Sequence, residues 1–118
     1  MSGGNRYRLG AAAVRDIAEI LEQTEMQFGL RQHDAYEALL GSAIRLIAAD
    51  PARSGSKDRG DLRPDMRSFR VALAARRRSA AAHVLFYVPD RTVGGGILVA
   101  RVLHHAMDPR AHLPDDAG

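Results

Sequence analysis

Two helical patterns separated by a two-residue connection constrain this chain more than any other feature. Val14, Ile17, Ala18, Leu21, Glu25 and Phe28 recur at helical spacing. They predict a helix over about 11–28 with one apolar stripe, broken only by Glu25. Tyr36, Leu39, Leu40, Ala43, Ile44, Leu46 and Ile47 predict a second helix over about 31–49. Only Gly29-Leu30 joins them. Gly29 suits the left-handed residue that follows a helix end, and so short a connection implies an antiparallel helical hairpin. The second arc is wider than the roughly 100° that one contact needs, so this helix requires two neighbours: the first helix and a sheet. Asp50-Pro51 stops it, because Pro disfavours a helical conformation in the residue before it.

The sheet must come from the rest of the chain. Tyr7-Arg8-Leu9 alternates like a short edge strand, and Gly10 stands at the N-cap of the first helix. A polar loop over about 52–65 is punctuated by Ser54, Gly55, Ser56, Gly60 and Pro64. Three strand patterns follow, over 66–73, 81–88 and 97–105. In the first, Arg67, Phe69, Val71 and Leu73 share one face and Met66, Ser68, Arg70 and Ala72 the other. The second is apolar on both faces, as a central strand is. The connections at 74–79 and 89–96 are too short for parallel crossovers, so these strands pair antiparallel. The predicted fold class is α+β, in the order β-α-α-β-β-β. An N-terminal helical hairpin packs on a small twisted antiparallel sheet, within one domain over 1–118 whose tail is polar from about 113.

Composition narrows the function. There is no cysteine, which excludes disulfides and thiolate–metal sites. The N-terminal residues lead into no apolar run of signal-peptide length, and no stretch approaches the roughly 20 apolar residues that span a bilayer. The expectation is a cytoplasmic protein with no membrane partner. Charge is distributed unevenly. Residues 1–50 carry five arginines against seven carboxylates, whereas residues 53–78 carry nine cations against three carboxylates. Such asymmetry points to a partner of opposite sign at the middle segment, nucleic acid or an acidic protein, with a solvated arginine-rich loop as the plain alternative.

Individual residues suggest sites. Arg101, between Val99 and Leu103, either pairs internally with Asp108 or reaches a target. His104 and His105 are adjacent on a strand pattern and point to opposite faces. With His112 they are not expected to share a metal, and no cofactor is expected. Gly94-Gly95-Gly96 precedes a strand, so it reads as a hairpin turn, not a phosphate cradle. Asp16, Glu19, Glu22 and Glu25 read as a solvated helix face. Ala13 and Ile20 at the edge of the first stripe, and Met26 off it, are candidates for contact with a partner helix.

An ordered set of landmarks resembles the ParE-like toxins of the RelE/ParE superfamily, the toxic halves of type II toxin–antitoxin pairs. Tyr7-Arg8-Leu9 opens the set. Ala13, Asp16, Ile17 and Phe28-Gly29 mark the first helix, and Leu46 to Pro51 the end of the second. Arg63-Pro64, Arg67, His83-Val84-Leu85-Phe86-Tyr87, Ile97, Arg101-Val102-Leu103-His104, Met107-Asp108 and His112-Leu113 complete it. A Gly commonly follows Arg-Pro in the family and an Arg the Phe-Tyr pair; here Asp65 and Val88 stand in those places. The resemblance implies a bacterial toxin that inhibits DNA gyrase by binding. It implies neutralisation by a cognate antitoxin, usually of ribbon-helix-helix type, in a hetero-oligomer that meets DNA only through the antitoxin. Arg63, Arg67, Arg70, Arg101, His104 and Asp108 are the target-binding candidates. Related RelE toxins cleave mRNA on the ribosome, which needs proton carriers and cations on the phosphate. His104, Arg67 and Arg101 would serve in that alternative; a non-toxic co-repressor is a second.

Overall fold

The structure is a computed structural model whose described residues are 6–92 and 95–113. The elements are β1 (Tyr7–Leu9), α1 (Ala11–Phe28), α2 (Leu30–Ala49), β2 (Lys57–Asp58), β3 (Arg67–Arg70), β4 (His83–Pro89) and β5 (Ile97–His104). Short 3-10 turns cover Val71–Ala74 and Pro109–Ala111. The expected α+β order is present, with the two-residue β2 added from within the polar loop. The β3 strand is shorter than its pattern, because the chain turns into a 3-10 helix after Arg70. Gly29, at φ 94°, reverses the chain between the helices in a conformation that Gly adopts without steric cost.

The sheet order is β1-β5-β4-β3-β2. The pairs β2–β3, β3–β4 and β4–β5 are antiparallel. The first strand lies parallel to β5, so the sheet is mixed. The short-connection argument never applied to β1, since most of the chain separates it from β5. Gly96 makes this pairing possible: a Cβ there would sit 2.6 Å from the Arg6 carbonyl oxygen. Asp90 then fastens the edge, its carboxylate taking the Arg8 guanidinium at 2.6 and 3.2 Å and the Thr92 hydroxyl at 2.7 Å. Gly94 of the expected glycine turn, and the tail from 114, lie outside the described residues.

The helical hairpin covers one face of the sheet. Ala43, Ile44 and Ile47 of α2 pack with Phe69, Leu85, Tyr87, Val99 and Val102 in the main core. Both neighbours inferred for α2 are thus present. The α1 stripe is rotated from its expected position. Ala13 is fully buried, Leu21 is buried, and Ile17 and Ile20 pack at the core edge, while Val14 is 51% and Phe28 68% exposed. The Gly10 N–H donates to the Val99 carbonyl at 2.9 Å and fixes the start of α1 against β5. A smaller cluster of Met66, Phe86 and Leu103 lies on the opposite, outer face of the sheet.

Candidate functional site

The strand β5 carries the residues singled out from the sequence, and an irregularity decides where each points. Phe86 pairs with Arg101 but Tyr87 with Val99, so Ala100 is an extra residue, a β-bulge. Simple alternation therefore fails: Val99 and Val102 both face the helices, and Leu103 the outer side. The bulge swings Arg101 toward α1. Its Nε and Nη2 donate to both Asp16 oxygens at 2.7 and 2.8 Å, and Nη1 donates to the His112 carbonyl. The Val102 N–H also donates to Asp16, at 2.9 Å.

The expected Arg101–Asp108 bridge is thus replaced by a bidentate Arg101–Asp16 pair, and Asp16 does not belong to a solvated face. Both side chains are largely buried, at 19% and 12% exposure. Hydrogen bonding to Asp16 holds the Arg101 guanidinium above its ordinary pKa. Asp108 caps the last 3-10 turn, accepting from the Arg110 N–H at 3.0 Å.

Beyond the bulge, β5 ends among histidines. His104 pairs with His83 across the sheet. The His83 Nδ1 lies 2.7 Å from the Tyr36 hydroxyl of α2. Burial, and then the neighbouring His104 and His105, push the His83 pKa down, which favours its neutral form. Burial pushes the Tyr36 pKa up, offset by backbone hydrogen bonding from His83 and Ala82. A neutral imidazole accepting from a tyrosine hydroxyl satisfies both groups. His105 lies past the strand end, so the alternation argument does not reach it; its ring stacks on His104 with centroids 4.6 Å apart.

These residues divide two concave surfaces. On the helix side, a groove of about 870 Å³ runs between Ile20, Thr24 and Phe28 of α1, Tyr36 of α2, and the 79–83 segment. On the outer side, two adjoining hollows of about 280 and 180 Å³ share Arg70, Val84 and His105. Register explains the second surface. Ser68 pairs with Lys57 and with Phe86, and Arg70 pairs with Val84, so these side chains form two rows on one face.

The candidates therefore separate. Arg70 and His104 share the outer trough. Arg67 turns to the helix side, where it donates to the Ser56 hydroxyl at 2.8 Å. Arg63 lies in the loop before β3. Of the partner-helix candidates, Ile20 lines the groove and Met26 is 79% exposed near the hairpin tip. Ala13 is fully buried and has no surface to offer. Among the described residues, metal-ligand types converge at His33, Asp34 and Glu37, where His33 is already bonded to Asp34 on the helix surface. His83 and Tyr36 were missed as site residues, although a histidine in an otherwise apolar central strand was a visible signal; His105 was visible, but was expected on the face opposite His104. No helix among the described residues is long and apolar enough to cross a membrane.

Comparison with known proteins agrees with this architecture. Residues 7–109 match the family model described as ParE toxin of type II toxin-antitoxin system, parDE. Toxin ParE1 of Caulobacter vibrioides (strain ATCC 19089 / CIP 103742 / CB 15) is 32% identical over 107 residues, covering 91% of this chain and 96% of the relative. Toxin ParE1 of Mycobacterium tuberculosis (strain CDC 1551 / Oshkosh) is 35% identical over 105 residues, covering 88% of this chain and 93% of the relative. With its helical hairpin on a five-stranded sheet and a match spanning nearly every described element, the chain belongs to the ParE family of type II toxins, whose members are paired with a cognate antitoxin.

Proposed function

We propose that this chain poisons DNA gyrase by binding it, without catalysis of its own. In this reading a ribbon-helix-helix antitoxin restrains it in a cytoplasmic hetero-oligomer. A segment of that antitoxin lies in the groove beside Ile20 and Tyr36, and the exposed Met26 offers it a further apolar contact. Family membership supports the toxin reading, and the ParE resemblance supplies gyrase as the target.

One structural observation favours binding over RNA cleavage. A nuclease of the alternative type needs His104, Arg67 and Arg101 around one phosphate. Both guanidinium groups are engaged elsewhere, Arg67 on Ser56 and Arg101 on Asp16 and the His112 carbonyl. The test is a supercoiling assay with purified gyrase. Inhibition by this chain, reversed by the product of a neighbouring ribbon-helix-helix reading frame, is the expected result. Unimpaired supercoiling together with mRNA cleavage in a translating extract would overturn the reading. Expression without the antitoxin that harms no cells would favour the co-repressor instead.

A further inference from the structure

The outer face of the sheet has a property that gyrase poisoning does not require. Its trough is lined by Lys57, Arg59, Arg70, His104 and His105, and no carboxylate lines it. The nearest acids are committed: Asp61 to Arg59 and Arg110, Asp58 to the Gly60 N–H, and Asp108 to the Arg110 N–H. Lys57 and Arg70 are exposed and make no ion pair among the described residues. No carboxylate among the described residues pairs with either of them, so the trough favours an anion.

Planar groups flank these cations. Arg59 lies over the Phe86 ring, 5.9 Å from its centroid, and Asp61 grips it with two contacts of 3.1 Å. A guanidinium held that way is a fixed plane, not a mobile charge. At the other end, the His104 and His105 rings stack 25° from parallel, and both residues are exposed. An acidic peptide would need the cations only. Charges alternating with flat surfaces match a strand of phosphates and unstacked bases.

We propose that this trough binds single-stranded nucleic acid, with Lys57 and Arg70 on backbone phosphates and the Arg59 and His104–His105 planes against bases. This goes beyond the expectation that the chain meets DNA only through its antitoxin. The site is independent of the gyrase reading, and either can fail alone.

The test is fluorescence anisotropy of the purified chain with labelled oligo-dT and oligo-rU, a duplex of equal length, and poly-glutamate as a polyanion without bases. Binding of either single strand, tighter than of duplex and of poly-glutamate, is expected; the two strands distinguish DNA from RNA. Lys57→Ala/Arg70→Ala should weaken it by about tenfold or more. The same pair should flatten the log–log salt dependence by about 1.4, since each phosphate contact on a single strand contributes roughly 0.7. His105→Ala should weaken single-strand binding by about fivefold or more, as loss of a stacking plane does. Arg15→Ala, which removes an exposed charge from α1, should change nothing. Equal affinity for poly-glutamate or for duplex, or an unchanged salt slope in the Lys57/Arg70 variant, overturns the proposal. So does the absence of binding at low salt by protein whose circular dichroism is native.

Discussion

The two faces of the sheet differ in what their charged residues do. On the helix side, Arg67 and Arg101 are spent on internal partners and serve the fold. On the outer side, Lys57 and Arg70 make no ion pair among the described residues, and the apolar cluster beneath them is small. The difference teaches that arginine count alone does not locate a working surface. An arginine held by a carboxylate behaves as part of the core, and one beside other cations is available to a ligand.

The largest effect that could break this contrast lies at Asp16. Asp16→Ala leaves Arg101 largely buried without its carboxylate and should cost about 3 kcal/mol. Chemical denaturation of Asp16→Ala, Arg101→Leu and the double variant measures it. A double variant more stable than Asp16→Ala is expected, because the orphaned charge is then gone. Additive losses would mean that the two residues are not coupled.

The next effect concerns pH. The His83 pKa is lowered in the folded state, so the unfolded chain takes up a proton first as pH falls. Stability should therefore decline as pH drops below about 6.5, the ordinary histidine value. His83→Gln should flatten this decline in urea midpoints measured from neutral to mildly acidic pH. Tyr36→Phe removes the partner on α2 and should cost about 1 kcal/mol at neutral pH. Asp90 acts at lower pH and with the same sign. Its carboxyl is held well below the usual range by Arg8 and then Thr92, and its contribution is lost as pH falls through that depressed value.

A smaller effect belongs to Asp65. Its φ of 64° lies in the left-handed region, which Gly adopts without steric cost. Asp tolerates the region better than most side chains. Asp65→Gly should leave stability within about 0.5 kcal/mol, and Asp65→Ala should lower it by about 0.5–1 kcal/mol. A more stable Asp65→Ala would contradict the backbone account.

Much of the fold was legible because periodicity is local. The hairpin needed only the two stripes and Gly29, and the last three strands needed only their alternation and short turns. What escaped depends on contacts distant in sequence. The α1 stripe could be read from Val14 or from Ala13, and the approach of Gly10 to Val99 decides between them. Once Ala13 faces inward, Asp16, three residues on, faces β5 as well. The Arg101 partner was therefore hidden by the same ambiguity, and the bulge at Ala100 by the absence of any Gly or Pro to mark it. For the site, Arg70 and His104 were visible as charged or titratable residues on strand patterns, named as target-contact candidates with the family resemblance. Lys57 and Arg59 were not, because a polar loop gives no sign that two of its residues will join the sheet edge.

The most direct test of the contrast compares Arg70→Glu with Arg101→Glu, by the thermal midpoint of each purified protein and by anisotropy with labelled oligo-dT and oligo-rU. The account predicts that Arg70→Glu keeps a wild-type midpoint and loses single-strand binding, whereas Arg101→Glu lowers the midpoint. Single-strand binding retained by Arg70→Glu at wild-type stability, or a wild-type midpoint in Arg101→Glu, would contradict the account.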